Sequence, residues 1–148
     1  MTDLMARPVV PVASEEDAEE TYATISTYLG PDAAPVLIHV IEKAGGGIDK
    51  AGVEQREEVA EAAFAVFRRL AAEDGVSVET SIRYGTDIAD AIEDAAREYD
   101  ATAIAFVPRG GGRIVEFLSG NVRSKLTNDN EFPAVVLPSP QAGDGTTD

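Results

Sequence analysis

Pro35-Val-Leu-Ile-His-Val-Ile41 is apolar at both parities of its alternation, interrupted only by His39. A strand with one solvated face alternates apolar and polar residues. A run that is apolar on both sides reads as a strand covered by helices above and below, the environment of a parallel sheet. Working outward, the neighbouring segments agree. Upstream, Arg7-Pro-Val-Val-Pro-Val12 has the same character, and a helix signal lies between the two runs. Ser14 can cap the free amides and Glu15, Glu16 and Asp17 favour the positive helix end. Ala18, Tyr22, Ile25 and Leu29 form a helical stripe, which Gly30-Pro31 is expected to end. Downstream, Gly45-Gly-Gly47 reads as a loop, and Val53 to Asp74 as the longest helix, with Ala60, Ala63, Phe67 and Leu70 at helical spacing before Gly75.

The alternation then resumes. Val76 to Tyr84 predicts a third strand, Gly85-Thr86 the cap of a helix carrying Ile88, Ile92, Ala95 and Tyr99, and Ala101 to Val107 a fourth strand. After Pro108-Arg-Gly-Gly-Gly112, the stripe Ile114, Phe117, Leu118, Val122 and Leu126 predicts a last helix bent near Gly120, and Phe132 to Leu137 closes the sheet. Strands separated by helices require crossovers, so the expected fold is α/β: an open five-stranded parallel sheet with helices on both faces, Rossmann-like. One domain is expected over residues 1–138, with 139–148 as a disordered acidic tail.

Charge excludes several classes of partner. Twenty-seven acidic residues against twelve basic ones give a net charge of -15, which repels nucleic-acid phosphates and anionic membranes. A surplus this large also suits a halophilic protein, in which counterions screen self-repulsion. No apolar run approaches the roughly 20 residues that a bilayer requires. Met1 to Pro8 has no basic region followed by an apolar stretch, so a cytoplasmic address is expected. The chain has no cysteine, which removes disulfides, thiolate metal sites and cysteine nucleophiles.

Ligands of open parallel sheets bind beyond the carboxyl ends of the strands, where strand order reverses. Of the loops there, Pro108 to Gly112 is the most informative, because consecutive glycines let backbone amides approach an anion. Between Pro108 and Lys125 lie Arg109, Arg113, Arg123 and Lys125 against the single acid Glu116, a balance of +3; the remaining residues hold eight bases against 26 acids, or -18. Such a basic island focuses anions. The loop alone fits equally a tight turn whose arginines pair with surrounding carboxylates. His39, the one histidine, reads as a hydrogen-bonded core residue, Tyr22, Tyr84 and Tyr99 as packing residues, and Asp87, Asp90 and Asp94 as a solvated helix face.

At this loop the chain resembles the universal stress proteins, whose ATP-binding members carry G-x2-G-x9-G-(S/T) across the fourth strand, the loop and the last helix. Val107-Pro-Arg-Gly110 with Gly120-Asn121 falls in that register, with Val107 in place of the first glycine and Asn121 in place of the hydroxyl residue. Val9-Val-Pro-Val12, Leu37-Ile-His-Val40, Gly85-Thr-Asp-Ile-Ala-Asp-Ala-Ile92 and Pro133-Ala-Val-Val-Leu137 extend the resemblance over almost the whole ordered chain. It implies an adenine-nucleotide alpha-hydrolase-like fold, and a site for ATP or another phosphorylated ligand at Val12, Ala13 and Val40, at Arg109, Gly110, Gly111, Gly112 and Arg113, and at Gly120, Asn121 and Val122. The aspartate with which the family's first strand contacts adenine is replaced by Val12, so the site is expected to be degenerate and any binding weak. The resemblance further implies a homodimer that pairs the last strand, Phe132 to Leu137, with its counterpart.

No nucleophile with a paired base is visible, so a non-catalytic stress-response protein is expected. Two rivals share the architecture. A phosphoacceptor receiver needs paired carboxylates directly after the first strand, where this chain has Ala13, an aspartate ending the third, where it has Tyr84-Gly85, and a lysine ending the fifth, where it has Pro138. An ATPase on a related nucleotide-binding fold needs a phosphate loop with its lysine, and none occurs.

Overall fold

The structure, a computed structural model, describes residues 4–42, 50–107 and 132–137. In chain order the elements are β1 (Pro8–Pro11), α1 (Glu15–Ile25), a 3-10 turn (Ser26–Tyr28), β2 (Val36–Glu42), α2 (Lys50–Glu73), β3 (Glu79–Gly85), α3 (Ile88–Glu98), β4 (Ala103–Phe106) and β5 (Ala134–Val136). All five strands are parallel, in the order β3-β2-β1-β4-β5. The expected last helix and the tail at 139–148 lie outside the described residues.

Helices cover both faces, as the doubly apolar strands require. On one face α1 and α2 pack Ala18, Tyr22, Ile25, Ala63, Phe64 and Phe67 against Val10, Val12, Leu37, Ala105 and Val107. On the other, Ile88, Ile92 and Ala95 of α3 meet Val9, Ile38, Val40, Ile104 and Phe106. No described helix is long and apolar enough to cross a membrane.

Several boundaries differ from the sequence reading, each for a local reason. The first helix stops at Ile25, before Gly30-Pro31, and tightens into the 3-10 turn. There the hydroxyls of Ser26 and Thr27 donate to the carbonyls of Ala23 and Thr24, competing with helical amides. Val76 and Val78 alternate and pack against the core, yet β3 begins at Glu79, whose amide donates to the Pro35 carbonyl at 3.1 Å; Pro35 itself has no amide with which to carry the ladder further upstream. Asp87, rather than Gly85-Thr86, caps α3: its Oδ1 accepts from the Asp90 amide at 3.0 Å, while Gly85 is the last paired residue of β3. Gly75 ends α2 as expected. At φ +76° it lets its own amide and that of Val76 turn back to the carbonyls of Ala72 and Ala71.

At the amino end of the sheet, Arg7 joins three elements. Its Nε donates to the Tyr99 carbonyl at 2.9 Å and Nη1 to the Ala34 carbonyl at 3.1 Å, while Nη2 pairs with Glu79 at 3.1 Å. A guanidinium suits this position because its fixed fork reaches several acceptors at once.

Candidate functional site

The first two crossovers carry the chain from β1 through β2 to β3; the third returns it past β1 to β4. Strand order therefore reverses between β1 and β4. In an open parallel sheet such a reversal places a ligand crevice beyond the carboxyl ends of the two strands. Its described walls are Val12 and Ala13 after β1, Val40 and Ile41 of β2, and Val107 after β4.

Val12 is fully buried, and its side chain belongs to the core under α1 and α2. Its amide continues the ladder, donating to the Ile38 carbonyl at 3.0 Å, and its carbonyl accepts from His39 Nδ1 at 2.9 Å. A carbonyl can only accept, so Nδ1 carries the proton. His39 is thus a hydrogen-bonded core histidine, as its place in an apolar strand suggested. Burial pushes its pKa below the ordinary histidine value, and the Arg56 guanidinium adds to this against the opposing effect of the Val12 carbonyl.

Ala13 is partly buried, and its amide donates to Asp17 Oδ2 at 2.7 Å. The acidic turn Glu15-Glu16-Asp17 is not uniform. Glu15 and Glu16 are exposed, whereas Asp17 is 4% exposed and folds back over the end of β1, also accepting from the Thr21 hydroxyl. Its amide in turn donates to Ser14 Oγ at 3.2 Å, the reciprocal arrangement of a capping box displaced by one residue. This role for Asp17 was missed from sequence, although the Ser14-x-x-Asp17 spacing was the available signal.

Of the expected site residues, Val12 and Ala13 follow β1 and Val40 lies near the end of β2, but the Val12 side chain packs on the α1–α2 face, with Val107, while those of Ala13 and Val40 pack on the α3 face. Arg109, Gly110, Gly111, Gly112, Arg113, Gly120, Asn121 and Val122 lie outside the described residues. Chain continuity makes Val107 the residue that leads from β4 into the glycine loop.

Two open grooves lie elsewhere on the α2 side. One, of about 610 Å³, is lined by Ser14, Glu15, Glu16, Gln55, Glu58, Val59 and Ala62. The other is lined by Glu54, Glu57, Glu58, Glu61, Ile82 and Tyr84, with the Tyr84 hydroxyl donating to Glu57. Glutamates dominate both, so both repel phosphate. Asp87, Asp90 and Asp94 do not converge: the first caps α3, and Asp94 pairs with Arg97 at 2.7 Å. No metal-holding cluster of histidine and carboxylate side chains occurs among the described residues.

The model of the universal stress protein family matches residues 5–138. This chain belongs to that family. No curated protein matches it. Among solved structures, the universal stress protein resembles MJ0577, with a TM-score of 0.67 and 18% identity over 91% of this chain and 96% of that one. It also resembles the Archaeoglobus fulgidus universal stress protein in complex with dAMP, with a TM-score of 0.56 and 18% identity over 90% and 98% of the two chains. A third likeness is to an Arabidopsis thaliana family member with AMP bound, with a TM-score of 0.59 and 17% identity over 97% of each chain. These likenesses establish the fold, an open five-stranded parallel sheet with helices on both faces.

Proposed function

We propose that this universal stress protein is a non-catalytic stress-response protein that binds ATP or another phosphorylated ligand weakly at the β1–β4 crevice. The observation that carries the reading is the reversal of strand order between β1 and β4, which opens a crevice at Val107, the residue leading into the basic glycine loop. Family members solved with dAMP and AMP support it. The site is degenerate in this reading, because β1 ends in a buried valine and Val107 replaces a glycine. The absence of cysteine and the commitment of the single histidine to Val12 support a non-catalytic role. A cytoplasmic, halophilic protein fits the charge of -15.

Calorimetric titration with Mg-ATP in molar KCl tests the site. Binding in the micromolar to millimolar range is expected, weakened roughly tenfold or more by Gly110→Ala, since in this proposal phosphate rests on the amides of the glycine loop and a side chain hinders such an approach. No heat at millimolar ATP would sink the nucleotide reading.

The protein also acts as a homodimer through β5 in this proposal. The strand lies at an edge of the sheet, paired on one side to β4, and Val136 is 47% exposed. An apolar edge of this kind favours pairing with a second copy. Light scattering at micromolar protein should give the dimer mass, and Val136→Lys should shift it to the monomer. A wild-type monomer would refute the assembly.

A further inference from the structure

β3 forms one edge of the sheet and pairs with β2 over its whole length, from Glu79 to Gly85. In a parallel ladder, alternate residues direct both amide and carbonyl to the same neighbour. The Glu79 amide donates to the Pro35 carbonyl, so the backbone of Glu79, Ser81 and Arg83 turns towards β2 and that of Thr80 and Ile82 turns outward. Among the described residues nothing takes up the amides and carbonyls of Thr80 and Ile82. A row of such groups is a template for a further strand.

Charge says which strand. Ile82 packs on the core under α2, Thr80 Oγ1 accepts from Arg68 of α2 at 3.1 Å, and the Tyr84 hydroxyl donates to Glu57, so these side chains lie on the α2 face. An open groove of about 620 Å³ lies there, lined by Ile82, Tyr84, Glu54, Glu57, Glu58 and Glu61. No ion pair among the described residues engages the four glutamates, whereas on the other face Arg83 meets Glu98 at 2.6 Å and Glu79 meets Arg7 at 3.1 Å. Successive side chains of an added strand alternate between the two faces, so every second one enters the groove. A second copy paired through β3 would bring the same acids against these and be repelled. We propose that the β3 edge takes an extended basic segment of a partner protein as a sixth strand, with lysine or arginine at alternate positions facing Glu54, Glu57, Glu58 and Glu61. This surface does not depend on the nucleotide reading.

The probe is a peptide of about nine residues, enough to span β3 at about 3.3 Å per residue, with alternating lysine and threonine. It is titrated by calorimetry into the full chain at about 0.15 M KCl, where the screening length is about 8 Å, and again in molar KCl. Binding in the micromolar to sub-millimolar range is expected at the lower salt, with the amides of Thr80 and Ile82 exchanging hydrogen at least tenfold more slowly when peptide is bound. No binding at millimolar peptide, or binding without that protection, overturns the proposal. Charge attraction alone is separated from strand addition by N-methylating the peptide at alternate residues. One parity should lose binding at least tenfold and the other keep it within about threefold, because only one set of amides faces β3; equal effects from both overturn strand addition. Glu58→Gln with Glu61→Gln should weaken binding threefold or more, while Glu15→Gln with Glu16→Gln, the same change in net charge elsewhere, should leave it within twofold. Equal weakening in the two variants overturns the role of the groove. Protection of Thr80 and Ile82 that grows with protein concentration in the absence of peptide would give the edge to a second copy and overturn the proposal as well.

Discussion

Phe67→Ala should lower the unfolding free energy by about 3–5 kcal/mol, the range for removing a buried aromatic ring. Phe67 is fully buried in the layer between α1, α2 and the sheet, and its ring meets that of Tyr22 edge-on at 5.1 Å between centroids and 84° between planes. The loss therefore includes both the transfer term and a ring contact worth about 0.5–1.5 kcal/mol. Tyr22 is fixed on its other side. Its hydroxyl donates to Asp74 at 2.5 Å, and burial, with the Asp74 carboxylate, raises its pKa well above the ordinary tyrosine value. Held in this way, Tyr22 cannot swing inward to fill the space, so the cavity persists. For a domain of this size the melting temperature should fall by roughly 10 °C or more. Urea unfolding gives the comparison directly: a fall in midpoint with unchanged slope confirms the loss, whereas a change below about 1 kcal/mol would mean that Phe67 does not anchor this layer.

Phe67 was legible before any coordinates, because a phenylalanine at helical spacing with Ala60, Ala63 and Leu70 has few destinations other than a core. The same holds for β2, whose apolar run has no polar face to give to water, and for the order of strands and helices that followed from it. What was not legible depended on partners distant in sequence. The alternation Val76, Val78, Thr80, Ile82 describes an extended chain above a core, but strand pairing starts at Glu79, opposite Val36, where the Pro35 carbonyl takes the Glu79 amide and proline offers no amide in return. Ser26 and Thr27 look like ordinary helix residues until their hydroxyls are seen on the carbonyls of Ala23 and Thr24.

The candidate site divides in the same way. Its position beyond β1 and β4 follows from topology, and topology follows from the pattern. Its polarity does not, because Val12 and Ala13 carry no side-chain chemistry, and the Val12 carbonyl and the Ala13 amide are held by His39 and Asp17. A histidine in an apolar strand indicates a hydrogen bond without naming its acceptor. A run of three acids indicates a helix start without showing which of them turns inward.

Asp17 gives the second large effect. Asp17→Ala removes the acceptor of the Ala13 amide and of the Thr21 hydroxyl, and removes a negative charge from the amino end of α1. A charged hydrogen bond of this kind is worth about 1.5–3 kcal/mol, and the helix-end charge adds about 0.3–1 kcal/mol, so a total loss of about 2–4 kcal/mol is expected. Glu15→Gln and Glu16→Gln, on exposed neighbours, should each cost less than about 0.5 kcal/mol. Asp17→Asn separates charge from geometry, since its amide oxygen can still accept from Ala13, and it should recover about half of the loss. Amide hydrogen exchange at Ala13 reads the local consequence. Protection lost in Asp17→Ala and retained in Asp17→Asn would show that this carboxylate closes the end of β1, whereas equal protection in both would assign the amide to another acceptor.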